Sequence, residues 1–166
     1  LQGYYNPAVA GLSGRLNMYG TYAMQMAGYT HAPSTMLVGA DMVLPTEKKN
    51  QAVSANLYNE SIGLFTNQRL FAGYAYRFNL WGGRMAIGAS AGSLEQKFDG
   101  SKVEAEESGD DAFPSSEIDG MGLDITAGLH YMHRLFHAGL SVMHVTAPTI
   151  DLGETHEIKI DPTFYF

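Results

Sequence analysis

The feature that most constrains the fold is an alternation of apolar residues with small or polar ones, which recurs along the whole chain. In residues 69–80, for example, Leu70 and Phe78 lie on one face of an extended chain while Arg69 and Arg77 lie on the other. A period of two is the signature of a β-strand with two unlike faces. The alternating segments are 15–28, 35–44, 51–59, 69–80, 84–94, 122–132, 135–146 and 157–166.

Strand length and loop length together indicate a membrane barrel. Most of these segments have 10 to 14 residues, whereas strands of soluble proteins cluster near about 5–6 residues and a tilted strand crosses a bilayer in about 9–11. The connections after the second, fourth and sixth segments are short, and the others are longer, as in barrels with short periplasmic turns and long outer loops. We therefore predict an all-β fold: an up-and-down antiparallel transmembrane β-barrel of about eight strands, forming one domain over residues 1–166 or the N-terminal part of a larger barrel.

The composition of the polar face indicates which side of the strands faces inward. In a soluble lipocalin-like barrel the polar face would be the outer one and would carry many lysines and glutamates. Here that face is mostly Gly, Ser, Thr, Asn and Ala with few charges, which suits a crowded lumen. We expect the apolar face, including Met85, Ile87 and Ala89, to meet lipid. The charges expected to face the lumen and pair with one another are Arg15, Asp41, Arg69, Arg77, Arg84 and Asp124.

Composition also excludes several classes of function. The net charge of −7 leaves no basic stripe for a nucleic acid, and the absence of cysteine excludes disulfides and thiol chemistry. His130, His133 and His137 would cluster around a metal only on a helix, and on two strands joined by a turn they point in different directions. No nucleotide-binding or nucleophile-elbow motif occurs. We therefore expect no catalytic chemistry, cofactor or metal.

One stretch, residues 95–121, is strongly acidic and is expected to form a long external loop. Its clustered carboxylates leave a calcium site open, although they do not follow the spacing of an EF-hand loop. A partner of this loop would be basic or bridged by cations, because the carboxylates repel an acidic one. The residues expected to contact such a partner are Glu104, Glu106, Glu107, Asp110 and Asp111.

Short motifs spread over nearly the whole chain resemble one protein family. The stretch YYNPAVAG at residues 4–11 has an aromatic-Asn-Pro-Ala-x-Ala-Gly pattern followed directly by the first strand. It resembles the PorP/SprF family, which comprises outer-membrane barrels of the Bacteroidetes type IX secretion system. The stretches HAPSTMLVGADMVLP, GLFTNQRLFAGYAYRFNL and IKIDPTFYF are similar to further family motifs. GDDAFPSS departs from the pattern, since Asp111-Ala112 stands where Asp-Pro is expected.

This resemblance implies a role in transport. Family members help to export cargo proteins such as gliding adhesins, or hold them at the cell surface, in the outer membrane. The implied partners are outer-membrane lipid, other type IX components and secreted cargo. Family members are longer and carry more strands, which favours a fragment over a small closed barrel. The opening motif is expected to close the periplasmic rim, with Tyr4 and Tyr5 at the membrane interface.

Two other functions stay open from the residues alone. One is a small outer-membrane lipid-modifying enzyme, which needs a nucleophile, a histidine and an acid near the outer rim. His31 and Ser34, and likewise Glu154 and His156, are neighbours in sequence, but that is weak support for such a set. The other is a soluble ligand-binding barrel.

Overall fold

A computed structural model describes residues 2–29, 32–99, 117–152 and 156–166. For residues 99, 117, 118, 149–152 and 156–159 it describes the backbone alone. Within these ranges the helices are a short α-helix, α1 (Gln2–Tyr5), and a 3-10 helix (Pro7–Val9). None of the described helices has the length and apolar character needed to cross a membrane.

The rest of the described chain is organised in antiparallel strands. Their bounds are β1 (Asn17–Met24), β2 (Ser34–Val43), β3 (Gln51–Ile62), β4 (Phe65–Leu80), β5 (Gly83–Asp99), β6 (Glu117–Met132), β7 (His137–Met143), β8 (Thr149–Leu152), β9 (His156–Lys159) and β10 (Thr163–Tyr165). Strands β1 to β7 pair in chain order, β10 adds to β7, and β8 and β9 form a separate hairpin. This confirms the predicted all-β, up-and-down antiparallel arrangement. In the described part of the chain β1 and β10 are the two edges, so this eight-stranded sheet is open.

The two faces of the sheet differ in exposure as the alternation predicts. On the apolar face Met18 is 73%, Leu123 66% and Ile87 44% exposed, whereas on the polar face Arg77 is 5% and Asp124 0% exposed. A water-soluble sheet buries its apolar face instead. For these residues the polar face is therefore the covered one and the apolar face is left exposed.

The prediction of a long loop after the third strand is wrong. The stretch after the third predicted strand, residues 60–68, is a tight hairpin in which Ile62 pairs with Phe65 and Gly63 adopts a positive φ of 61°. The polar residues on both sides of this turn continue the backbone ladder, so strand pairing extends beyond the segment in which apolar residues alternate. The predicted acidic loop is also shorter than 95–121, because β5 runs to Asp99 and pairs there with Glu117.

The predicted last strand, residues 157–166, is two strands. His156–Lys159 pairs with Thr149–Leu152, whereas Thr163–Tyr165 pairs with the end of β7, where Thr163 faces Met143. The break falls at Pro162, because proline has no N–H to donate to a ladder and its ring fixes φ. The last ordered strand of the main sheet is consequently only three residues long.

Candidate functional site: the N-terminal segment on the polar face

The opening motif does not lie at the rim of the sheet but crosses its polar face. Pro7 and Ala8 are fully buried, and Ala10 is 1% exposed. The expectation that this stretch caps the rim, with both tyrosines at the membrane interface, is therefore wrong. We call residues 2–11 the N-terminal segment. Its small residues allow the backbone to approach the strands closely, which a longer side chain would prevent.

Asn6 fixes the middle of the N-terminal segment through both ends of its amide. Its Oδ1 accepts a hydrogen bond from the N–H of Ala8 at 2.9 Å, which caps the 3-10 helix. Its Nδ2 donates to the carbonyl of Leu129 at 3.0 Å and approaches the carbonyl of Leu140 at 3.5 Å. Asn6 therefore joins β6 and β7 to the segment. Proline suits the next position, because the first residue of a helix needs no N–H donor.

Two glycines on the sheet leave space for the Asn6-Pro7-Ala8 turn of the N-terminal segment. Gly88 of β5 and Gly128 of β6 are paired across the two strands. A Cβ at Gly88 would overlap the backbone of Pro7 and Ala8, and a Cβ at Gly128 would overlap Oδ1 of Asn6. Glycine at both positions therefore permits backbone-to-backbone approach.

The end of the segment is held by two charged side chains of the polar face. Asp41 Oδ1 accepts the N–H of Gly11 at 2.6 Å, and Arg77 Nη2 donates to the carbonyl of Ala10. Gly11 has a φ of +68°, and a Cβ there would lie 2.7 Å from that of Ala52. Both the conformation and the lack of space require glycine.

The two tyrosines connect the segment to opposite parts of the sheet. Arg69 Nη1 donates to the hydroxyl of Tyr4 at 3.2 Å, and the same guanidinium lies 5.6 Å from the ring centre of Tyr58. The Tyr5 ring lies 5.1 Å from that of Tyr165 in β10. Burial raises the pKa of the Tyr4 phenol above its usual value. The neutral hydroxyl is therefore the form that accepts the arginine N–H.

A second polar contact lies on the same face. Asp124 is 0% exposed, and its Oδ2 is 2.6 Å from Nδ1 of His144, which directly follows β7 with a φ of 60°. The other carboxylate oxygen of Asp124, Oδ1, accepts a hydrogen bond from the N–H of Ile125 at 2.8 Å. Sequence reasoning missed His144, because the alternation of the seventh strand gives no sign that the chain turns inward there.

The six charges predicted from the sequence fall into two groups. Asp41, Arg77 and Asp124 are buried on the polar face, and Arg69 is partly buried there, whereas Arg15 and Arg84 are exposed. No salt bridge joins any two of the six, all of which the structure describes, so the expected mutual pairing is not found. Each of the first four has another partner: Gly11 and Asn17 for Asp41, Ala10 for Arg77, Tyr4 for Arg69 and His144 for Asp124. The acidic residues Glu104, Glu106, Glu107, Asp110 and Asp111 lie outside the described residues.

The histidines are divided between two places. His130 and His137 line a cavity of about 330 Å³ next to Tyr5 and Tyr165. His133 lies in the β6–β7 turn, with its ring 6.5 Å from that of Tyr131. Within the described ranges, no group of three or more histidine or acidic side chains is placed to hold a metal. His31 and Glu154 lie outside those ranges, and of His156 only the backbone is described.

The family model described as type IX secretion system membrane protein PorP/SprF matches residues 2–166. Neither a curated protein nor a solved structure matches the chain.

Proposed function

This chain belongs to the PorP/SprF family of type IX secretion system membrane proteins, and we propose that it assists the export or surface attachment of cargo, such as gliding adhesins, without catalytic chemistry. One observation carries this proposal. The polar face is occupied by the N-terminal segment, whereas the apolar face is exposed. An interior filled by the chain's own backbone suits a binding component better than an open conduit or an active site.

In this proposal the protein lies in the outer membrane. Residues 1–166 form a single barrel domain, or the N-terminal part of one, whose exposed apolar face meets lipid. Charges such as Asp41 and Arg77 face the interior, because a lone charge against acyl chains is costly. The turns between β2 and β3, β4 and β5, and β6 and β7 then lie on the periplasmic side, at the end of the sheet opposite the acidic stretch between β5 and β6.

The partners in this proposal are other type IX components and a secreted protein. The acidic carboxylates Glu104, Glu106, Glu107, Asp110 and Asp111 form an external surface for a basic or cation-bridged region of that protein. Opposite charges steer encounter and discriminate against acidic competitors. Shortening this stretch is expected to leave barrel assembly intact, because loop length affects stability only weakly.

The experiment is a deletion strain complemented with either the wild-type chain or the chain shortened between residues 103 and 112. Secreted and surface proteins are quantified by mass spectrometry, and heat-modifiable gel mobility reports on barrel assembly. We expect the deletion to lose one class of cargo and the shortened chain to assemble without restoring it. An unchanged set of secreted proteins together with an altered lipid profile would instead favour a lipid-modifying enzyme. If the shortened chain fully restores the secreted proteins, the acidic residues are not the surface that binds the cargo.

A further inference from the structure

We propose that a basic pocket at the end of the sheet that carries the β2–β3 and β4–β5 turns binds the phosphate group of an anionic glycerophospholipid. The pocket has a volume of about 430 Å³ and lies between the β2–β3 turn and the end of the β4–β5 hairpin. The inference rests on the membrane setting of the family but not on the identity of any cargo. Residues lining the pocket are Lys48, Lys49, Asn50, Tyr76, Arg77, Phe78, Asn79 and Arg84.

The charge of this pocket is one-sided. Four of the lining side chains are cations and none is a carboxylate. Lys48, Lys49 and Arg84 are exposed and form no salt bridge in the described structure. Glu47 adjoins Lys48 in sequence but does not line the pocket. Gathering like charges around one cavity costs electrostatic free energy, which a bound anion offsets.

Arg77 is the only buried one of the four cations that line the pocket. Its side chain is more than nine-tenths buried, yet its Nε has no hydrogen-bond partner. The Nη2 atom is already used by the carbonyl of Ala10, and the nearby carboxylate of Asp41 accepts hydrogen bonds from Gly11 and Asn17. Buried donors in native proteins nearly always have a partner. A guanidinium N–H suits a phosphate oxygen.

The aromatic residues of the pocket indicate that this phosphate belongs to a lipid. Tyr76 and Phe78 line the pocket and belong to the exposed apolar face, each with 38% of its surface exposed. Trp81, at the tip of the same hairpin, is 87% exposed. Aromatic rings of this kind collect at the headgroup level of a membrane. A lipid can therefore place its acyl chains along the apolar face and its phosphate among the cations.

The test uses the full chain purified in detergent and compares three proteins. The variant carries Lys48→Gln, Lys49→Gln and Arg84→Gln, all at exposed positions. The control carries Arg134→Gln, which removes an exposed charge from the neighbouring β6–β7 turn outside the pocket. Heat-modifiable mobility verifies assembly, and native mass spectrometry measures retention of phosphatidylglycerol against phosphatidylcholine. We expect wild type and control to prefer phosphatidylglycerol and the triple variant to lose about tenfold of that preference.

Three results would overturn the proposal. The first is an unchanged lipid preference in the triple variant. The second is a thermal shift from inorganic phosphate alone equal to that from phosphatidylglycerol, which would indicate a site for small anions. The third is binding of a polyglutamate peptide with no preference among lipids, which would indicate a protein partner. If the triple variant does not assemble, the wild-type preference is measured at rising salt, where an electrostatic site must weaken. A preference that salt leaves unchanged also contradicts the proposal.

Discussion

Gly88 and Gly128 are paired across β5 and β6, and the Asn6-Pro7-Ala8 turn lies directly over them. A side chain at either glycine would occupy the space that the turn backbone and the Asn6 amide now fill. The pair therefore determines how closely the N-terminal segment approaches the sheet.

Replacing Gly88 with alanine should displace the N-terminal segment, because the new Cβ would meet backbone atoms that cannot rotate away. We expect the free energy of unfolding in detergent to fall by about 1–3 kcal/mol, as for overpacked cores. The segment should also become easier to cleave with protease. Gly20→Ala in β1 is the control, since a Cβ there meets only ordinary contacts, the nearest at 3.7 Å. Equal stability of the two variants would contradict the close approach at Gly88.

Replacing Asn6 with alanine removes a helix cap and leaves the Leu129 carbonyl without its side-chain donor. Loss of a cap typically costs about 0.5–2 kcal/mol, and we expect the free energy of unfolding to fall by at least that much. Urea titration of the folded protein measures the change. Asn79→Ala, at an exposed position of β4, should have little effect. If both variants unfold at the same urea concentration, Asn6 does not join the segment to the sheet.

A substitution at Ile87 tests whether the apolar face of the sheet lies against lipid. An arginine there would lie against acyl chains and should cost about 2–4 kcal/mol if the position is near the bilayer midplane. Ile87→Leu keeps the apolar character and should assemble like wild type. The fraction of heat-modifiable protein after folding into lipid vesicles measures both. Normal assembly of the arginine variant would place this face away from lipid.

Asp124 and His144 should be coupled energetically, because their side chains meet at 2.6 Å in a buried position. A double-mutant cycle of Asp124→Asn and His144→Gln should give an interaction energy of about 0.5–3 kcal/mol. Unfolding by urea provides the four free energies. Asp119→Asn, at an exposed position of the same strand, should change stability by less than about 0.5 kcal/mol. Strict additivity of the two substitutions would show that the contact contributes nothing.

The strands and their faces could be predicted from the sequence because alternation relates residues that are two positions apart. Leu70 and Arg77, for instance, fall on opposite faces of an alternating strand, and Leu70 is exposed whereas Arg77 is buried. Where polar residues occupy both faces, as around Glu60, the pattern disappears and the length of the β3–β4 hairpin could not be predicted. The alternation in residues 157–166 predicted a single strand, and it did not indicate that the chain on the two sides of Pro162 would pair with different partners.

The position of the N-terminal segment was decided only by the tertiary structure. Asn6 bonds to carbonyls 123 and 134 residues away in the chain, and no local pattern encodes partners at that distance. The sequence did determine that the motif is small and turn-forming, and that the polar face is lined with glycine. Which glycines lie beneath which residues depends on the register of β5 against β6. That register is fixed when the strands pair. The position of the N-terminal segment therefore depends on the assembled sheet and not on the motif alone.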